Sequence, residues 1–124
     1  MHFKVYISKP SYLNDLNNIH HSIGFWIDIT KPGGVLFEYF GTQPTVNQTI
    51  TLHPGWNLVG YPSQTNYNRT EGLNNLTFDT NIDSIYTFNA ARQQWKELGP
   101  SDYFEIGKGY WVHAKTKCEW KVPL

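Results

Sequence analysis

The stretch Thr49–Ser63, TITLHPGWNLVGYPS, has the strongest local structural signal in the chain. Its first part, Thr49–Leu52, alternates polar and apolar β-forming residues, as a half-buried strand does. Pro54–Gly55 suits a type II turn, because proline presets φ and glycine supplies the positive φ required at the third position. Asn57–Tyr61 then reads as a second strand. The stretch therefore predicts a β-hairpin with Trp56 packed over it.

Length and composition limit the classes of protein that the chain can represent. Its 124 residues suit one domain, residues 1–124. Ten acidic and ten basic residues give zero net charge, so no basic surface indicates nucleic acid. Aromatic residues make up 16% of the chain, with abundant Thr, Asn and Gly, which favours β structure and turns. No apolar run is long enough for a membrane helix, and we expect no membrane insertion by this segment.

Seven further stretches have strand patterns. They are Phe3–Ile7, Ile23–Thr30, Val35–Phe40, Ile82–Phe88, Gln94–Leu98, Tyr110–Lys115 and Glu119–Leu124. The turn cluster Lys31–Gly34 predicts a hairpin between the second and third of them. One short helix is predicted over Glu71–Leu76, with Thr70 as N-cap and Leu73 and Leu76 facing inward.

Two stretches share one residue pattern. Gly24–Ile29 (GFWIDI) and Gly109–Ala114 (GYWVHA) both run Gly, aromatic, Trp, aliphatic, polar, apolar. We interpret residues 1–41 as a degenerate half-repeat and residues 49–124 as a complete repeat unit. Repeat units of this kind share a core by stacking or closing on each other. The predicted fold is all-β, with two related β units in a single barrel or sandwich; two small sheets that barely touch are the alternative.

The two motifs together resemble a recurring module of archaeal and bacterial cell-surface proteins. That module has a Pro-Gly-Trp-Asn-Leu stretch followed by Gly-Lys-Gly-Tyr-Trp, here Pro54–Leu58 and Gly107–Trp111. Residues from Thr49 to Leu124 carry the resemblance, and Phe3–Phe40 matches only as a half-copy. The resemblance implies an extracellular, non-catalytic β module of a large secreted or S-layer-type protein. It supplies no ligand and no catalytic residues.

Candidate metal ligands lack the spacing of known sites. His20 and His21 are adjacent, and adjacent side chains diverge on a strand or a helix. Asp79, Asn81 and Asp83 alternate as in calcium loops, but the glycine and glutamate that complete such a loop are missing. We predict no metal site and no cofactor.

Catalytic signatures are also missing from the sequence. No Gly-x-Ser-x-Gly motif is present, and Cys118 with His113 has no geometry that favours a dyad. The single cysteine, Cys118, sits in a strand pattern and is predicted to be a buried, unreactive thiol. We therefore expect no enzymatic activity.

The five tryptophans and eight tyrosines are the remaining candidates for function. Trp26 and Trp111 lie in strand patterns and are expected in the core, as is Trp120. Trp95 lies in a polar strand, and the sequence favours neither exposure nor burial of its side chain.

Exposed aromatic rings stack on sugars or anchor protein partners. The candidate ligand-binding residues are Trp95, Tyr67 and Tyr103. Three or more rings on one exposed face would favour a carbohydrate-binding module over a purely structural one.

Three N-x-S/T sequons, at Asn47, Asn68 and Asn75, weakly favour an extracellular location. We therefore expect a non-catalytic structural or interaction module of an exported cell-surface protein. Its expected partners are other segments of a larger surface protein or cell-envelope components, with glycans as a further class. A carbohydrate-binding module is the alternative.

Overall fold

The structure of the protein is a computed structural model that describes residues 18–34, 36 and 41–124. Its strands and helix are β1 (Gln48–Leu52), β2 (Gly55–Gly60), α1 (Arg69–Leu73), β3 (Ile82–Asn89), β4 (Gln94–Glu97), β5 (Gly109–Ala114) and β6 (Cys118–Val122). β1 and β6 form a two-stranded sheet, and the second sheet has the order β2-β5-β3-β4. All pairs are antiparallel. The prediction of a β fold with one short helix is confirmed.

The sequence predicts a hairpin between β1 and β2, but these two strands do not pair with each other. β1 pairs with β6 and β2 pairs with β5, so both strands run alongside the C-terminal part of the chain. Leu52 pairs with Cys118 and Gly55 pairs with Ala114, which leaves residues 53–54 opposite residues 115–117. Because two residues lie opposite three at this place, the paired strands form one long antiparallel ribbon that bends there. Pro54 and Gly55 produce this bend rather than a reversal.

The side chain of Asn57 holds the bend. Its Nδ2 donates to the backbone oxygens of His53 (2.9 Å), Gly55 (3.0 Å) and Val112 (3.3 Å). Its Oδ1 accepts a hydrogen bond from the backbone nitrogen of His53 at 3.0 Å. Gly55 has a φ of 98°, a conformation that glycine adopts without steric cost. The Gly-Trp-Asn part of the motif is thus a clamp that lets one strand pair pass from one sheet to the other.

The two sheets share one cluster of buried apolar side chains. From the small sheet come Ile50, Leu52, Trp120 and Val122, and from the large sheet Val59, Ile82, Ile85, Tyr110, Val112 and Ala114. The sheets are not closed into a barrel, because β1 has β6 as its hydrogen-bonded neighbour and β2 and β4 are edge strands of the large sheet. The barrel form of the prediction is therefore wrong.

Trp120 lies at the centre of this cluster and is fully buried, as predicted. Its Nε1 donates a hydrogen bond of 2.9 Å to the backbone oxygen of Gly72, so the indole also satisfies its polar atom. Phe104 stacks on Tyr61 with ring centroids 5.1 Å apart and meets Tyr110 edge-on at 5.0 Å. Aromatic packing therefore joins the helix region, the loop before β5 and both sheets.

The helix begins earlier than predicted. α1 spans Arg69–Leu73, and its N-cap is Asn68, whose Oδ1 accepts from the backbone nitrogen of Glu71 at 2.9 Å. Asparagine is a strong N-cap residue, and here it takes the role that we had assigned to Thr70. Leu73 and Leu76 are buried, as predicted.

The N-terminal part of the described chain does not form the predicted strand Ile23–Thr30. Only an isolated antiparallel bridge between Ile23 and Val59 is present there. The turn at Lys31–Gly34 is formed, with a 3.0 Å hydrogen bond between the two terminal residues. The predicted strand Phe3–Ile7 lies outside the described residues. The predicted strand Val35–Phe40 also lies outside them, apart from Leu36.

No internal repeat is shown in the described part of the chain. Gly24–Ile29 has no strand, whereas its sequence counterpart Gly109–Ala114 is β5, in the interior of the large sheet. The physical difference is burial, because every buried hydrophobic side chain among the described residues falls between Ile50 and Val122.

We expect Asn57→Ala to destabilise the protein by about 2 kcal/mol, because four hydrogen bonds at the bend are lost. Urea unfolding measures the change. Asn89→Ala is the matched control: the exposed Asn89 side chain accepts one turn hydrogen bond, from the backbone nitrogen of Arg92. Equal losses in the two variants would contradict the role of Asn57 as a clamp.

Burial raises the pKa of Tyr110 to about 12 from its usual 10.0, and its hydroxyl accepts a 2.7 Å hydrogen bond from the Glu105 backbone nitrogen. The unfolded chain therefore loses this proton at lower pH than the folded one, so stability falls as pH rises from about 10 toward 12. Tyr110→Phe should be less stable at pH 8 by about 1 kcal/mol but should lose less stability above pH 10. Urea unfolding across this range tests it, and parallel pH profiles would refute it.

Candidate binding site on the aromatic face of the large sheet

One face of the large sheet is turned away from the core. Along β5, Tyr110, Val112 and Ala114 are buried, so the alternating residues Trp111 and His113 point to the opposite face. Directly paired residues of antiparallel strands share a face, and this rule extends the face across the sheet.

We call this outer surface the aromatic face and define it by five side chains: Trp56 on β2, Trp111 on β5, Tyr86 and Phe88 on β3, and Trp95 on β4. Trp56 is opposite His113, Tyr86 is opposite Trp111, and Phe88 is opposite Trp95. All four strands contribute, so the face depends on the complete sheet.

Residues Ser22–Ile29, which we call the strap, cross this face. The backbone nitrogen of Gly60 donates to the oxygen of Ser22 at 3.0 Å, which fixes the strap to the edge of β2. Gly24 then lies against Gly109, which is paired with Gly60, and an added Cβ on Gly60 would collide with the backbone oxygen of His21. Three glycines thus allow the backbone of the strap to approach the sheet closely.

One residue of the strap, Trp26, forms an aromatic triangle with two side chains of the sheet. Trp26 meets Phe88 at 5.1 Å and Trp95 at 5.3 Å, and Phe88 meets Trp95 at 5.2 Å, all in edge-to-face geometry. Such tilted pairs are favourable beyond the area that they bury. Trp26 and Trp95 nevertheless remain 52% exposed.

A groove of about 690 Å³ runs between the strap and the sheet. Apolar side chains that line it include Trp26, Ile27, Leu58, Trp95 and Trp111, and its polar side chains include Asp28, Gln93 and Lys108. An apolar groove with a few polar groups is the usual form of a binding site.

The other end of the aromatic face has a different chemistry. The register between β3 and β5 shifts between Ile82 and Ser84, so Asp83 is the extra residue of a β-bulge. The bulge brings Asp83 to His113, with Oδ1 2.6 Å from Nδ1. The ring of His113 meets that of Trp56 at 4.9 Å, and Tyr86 lies 6.0 Å from the same indole.

The structure places the predicted ligand-binding residues apart. Trp95 is on the aromatic face, in the groove. Tyr67 is half-buried, packs against the core and donates a 2.9 Å hydrogen bond to the backbone oxygen of Leu124. Tyr103 is 55% exposed and forms an isolated bridge with Asn68. Neither tyrosine has a ring contact with Trp95 among the described residues.

The core assignment of Trp26 and Trp111 is wrong. Trp26 is exposed because its segment crosses the outside of the sheet, and Trp111 is half-buried because it alternates with the buried Tyr110 and Val112. Trp56, expected to pack over a hairpin, is 45% exposed on the aromatic face.

The pair Asp83–His113 was missed by the sequence analysis. The signal is Ile82-Asp83-Ser84-Ile85, where two residues separate two buried isoleucines and break the strand alternation. Such a break indicates a bulge, which places two successive polar side chains on one face.

Metal ligation finds no support in the described part of the chain, where no group of three or more His, Cys, Asp or Glu could hold an ion. His20 and His21 do not diverge; their ring centroids are 4.0 Å apart, and they bond to Ser22 and Gln48. Burial, followed by the charge of Glu119, raises the pKa of the half-buried Cys118 thiol. At neutral pH this thiol is therefore protonated and weakly nucleophilic.

The three sequon asparagines have structural hydrogen bonds. Asn47 accepts from the backbone nitrogen of Leu124 at 2.9 Å, and Asn68 caps α1. Asn75 donates to the backbone oxygen of Glu119 and accepts from the backbone nitrogen of Lys121, both at 2.8 Å. Each sequon asparagine therefore has a structural role in the fold.

Comparisons with protein-family models, curated proteins and solved structures find no match to this chain. Within the described residues, no helix has the length and apolar character needed to cross a membrane.

Gly60→Ala should displace the strap, because the new methyl group would meet the backbone oxygen of His21. We expect the indole resonances of Trp26 and Trp95 to shift in ¹⁵N-resolved NMR spectra while core resonances stay in place. Gly41→Ala, at an exposed position with open space around it, is the control. Unchanged indole resonances in Gly60→Ala would show that the strap is not held through this glycine.

Proposed function

We propose that the protein is a non-catalytic interaction module of an exported cell-surface protein and that it engages its partner through the groove on the aromatic face. The observation that carries this proposal is a sheet face with five aromatic side chains, of which Trp56 and Trp95 are about half exposed. Exposed apolar patches bordered by polar groups mark interaction sites.

The groove supports an apolar anchor from a partner. Trp26, Phe88 and Trp95 already pack edge-to-face, so they form a rigid wall rather than a flat platform. Aromatic side chains held in this way are frequent hot spots of protein interfaces, because little entropy is lost when they are covered.

Polar side chains at the groove supply orientation. Asp28 on the strap and Lys108 before β5 carry opposite charges, although Lys108 Nζ is already paired with Glu105 at 2.5 Å, and Gln93 precedes β4. Opposite charges around an apolar site favour one orientation of a partner and contribute more to specificity than to affinity.

The proposed partners are other segments of a larger surface protein or cell-envelope components. The extracellular location rests on the resemblance of Pro54–Leu58 and Gly107–Trp111 to modules of surface proteins. The clamp made by Asn57 gives that motif a structural role, which agrees with a scaffold rather than a catalyst.

A carbohydrate-binding module is the second candidate. It is favoured by the number of aromatic rings on one exposed face, since tryptophan and tyrosine stack on sugar rings. The tilted rings of the groove are less suited to flat stacking than the indole of Trp56, which lies outside the groove.

Trp95→Ala should weaken binding to the partner by about tenfold or more, because it removes an aromatic anchor from the groove. Binding of the full chain to immobilised envelope material from the source cells can be measured by biolayer interferometry. Tyr103→Ala is the matched control, since Tyr103 is 55% exposed and lies off the aromatic face. Absence of binding by the unaltered chain, or equal losses in both variants, would refute the proposal.

A further inference from the structure

The bulge in β3 creates a polar pair where a regular strand would not. Ile82 and Ile85 are both fully buried, yet only two residues separate them. The extra residue allows both isoleucines to reach the core while Asp83 joins His113 on the outer face. Bulges are frequent next to binding sites because they redirect side chains in this way.

The contact between Asp83 and His113 fixes the chemistry of both groups. In the neutral imidazole, the tautomer that suits this contact carries its proton on Nδ1 and donates it to Asp83 Oδ1, 2.6 Å away, which leaves Nε2 as an acceptor. Within the described residues, no protein hydrogen bond engages Asp83 Oδ2 or His113 Nε2. Both side chains are about one-third exposed, so the pair offers two acceptors to a ligand.

Trp56 supplies an apolar surface beside these acceptors. It is 45% exposed, so nearly half of a side chain with roughly 150–250 Å² of surface is open to a ligand. β2 is an edge strand, and the strap bridges it at Val59, away from Trp56. The indole is also held in place by contacts with His113 and Tyr86.

We propose that Trp56, Asp83 and His113 form a binding site for one neutral pyranose ring. The apolar face of the sugar stacks on Trp56, and two adjacent hydroxyl groups donate to Asp83 Oδ2 and His113 Nε2. This proposal rests on the proposed function only in using the same sheet face, because the groove at Trp95 is at its other end.

A neutral sugar fits this chemistry better than an anionic ligand. An anion would meet the carboxylate of Asp83. Two sugar hydroxyl groups donate one hydrogen bond each to the two acceptors, and ring carbons contact the indole without any charge.

The test is an NMR titration of the full chain with neutral gluco-, manno- and galacto-configured oligosaccharides at millimolar concentration. We expect saturable shifts of the Trp56 indole and the His113 ring, with little change at Trp26 and Trp95. Trp56→Ala should abolish the shifts. Asp83→Asn should weaken binding by about tenfold or more, because the amide replaces one of the two acceptor oxygens with an NH2 donor.

Tyr103→Ala is the control and should bind as the unaltered chain does. Asp83→Asn keeps the shape of the side chain, so it tests the site even if Trp56→Ala perturbs the sheet. Trp95→Ala separates the two proposals: it should lose envelope binding and keep the sugar shifts. No saturable shift at Trp56 with any sugar, or shifts confined to Trp26 and Trp95, would overturn the pyranose site.

Discussion

The long antiparallel pairing of residues 48–60 with residues 109–122, bent at one place, is the constraint on which the rest of the structure depends. One ribbon supplies strands to both sheets, so the two sheets cannot separate without breaking it. Asn57 satisfies the backbone groups that the bend would otherwise leave unpaired, which is the main cost of a break in a ladder. Because the bend turns the ribbon around one hydrophobic cluster, Trp120 of the small sheet and Val112 of the large sheet reach the same core.

The same ribbon determines the two faces of the large sheet. Strict alternation along β5 divides side chains between the core and the aromatic face. Two local departures from regular structure then diversify the outer face. The paired glycines Gly60 and Gly109 allow the strap to cross at one end, and the bulge at Asp83 adds a polar pair at the other. A single sheet thus presents an apolar groove and a polar site with an exposed indole, at opposite ends of one surface.

Much of the fold could be predicted from local pattern, because strand alternation and turn residues act over a few residues. The strands from Ile82 onward, the presence of a short helix, and the burial of Leu73, Leu76 and Trp120 follow in this way. Partner choice could not be predicted, since Pro54–Gly55 suits both a hairpin and a bend, and only the competing C-terminal strands decide between them. Trp26 and Trp111 were misplaced for a related reason: the strand pattern shows alternation but not which face meets the core. Of the site, only Trp95 was named in advance, because Asp83 and His113 are far apart in sequence and meet only through the bulge.

The pairing of Gln48 with Val122 has a mechanical consequence. The first residue of β1 and the last residue of β6 are paired with each other, so both strands end at the same side of the small sheet. Just beyond this pair, the backbone nitrogen of Leu124 donates a hydrogen bond to Asn47 Oδ1. Antiparallel hydrogen bonds lie perpendicular to the strands, so tension applied through these two points pulls along the bonds and loads them one rung at a time. Under tension the pairs of the small sheet therefore separate one after another, from Gln48–Val122 to Leu52–Cys118. For tension applied at Gln48 and Val122, the strands of the large sheet lie beyond the bend and are loaded only after β1 and β6 have separated.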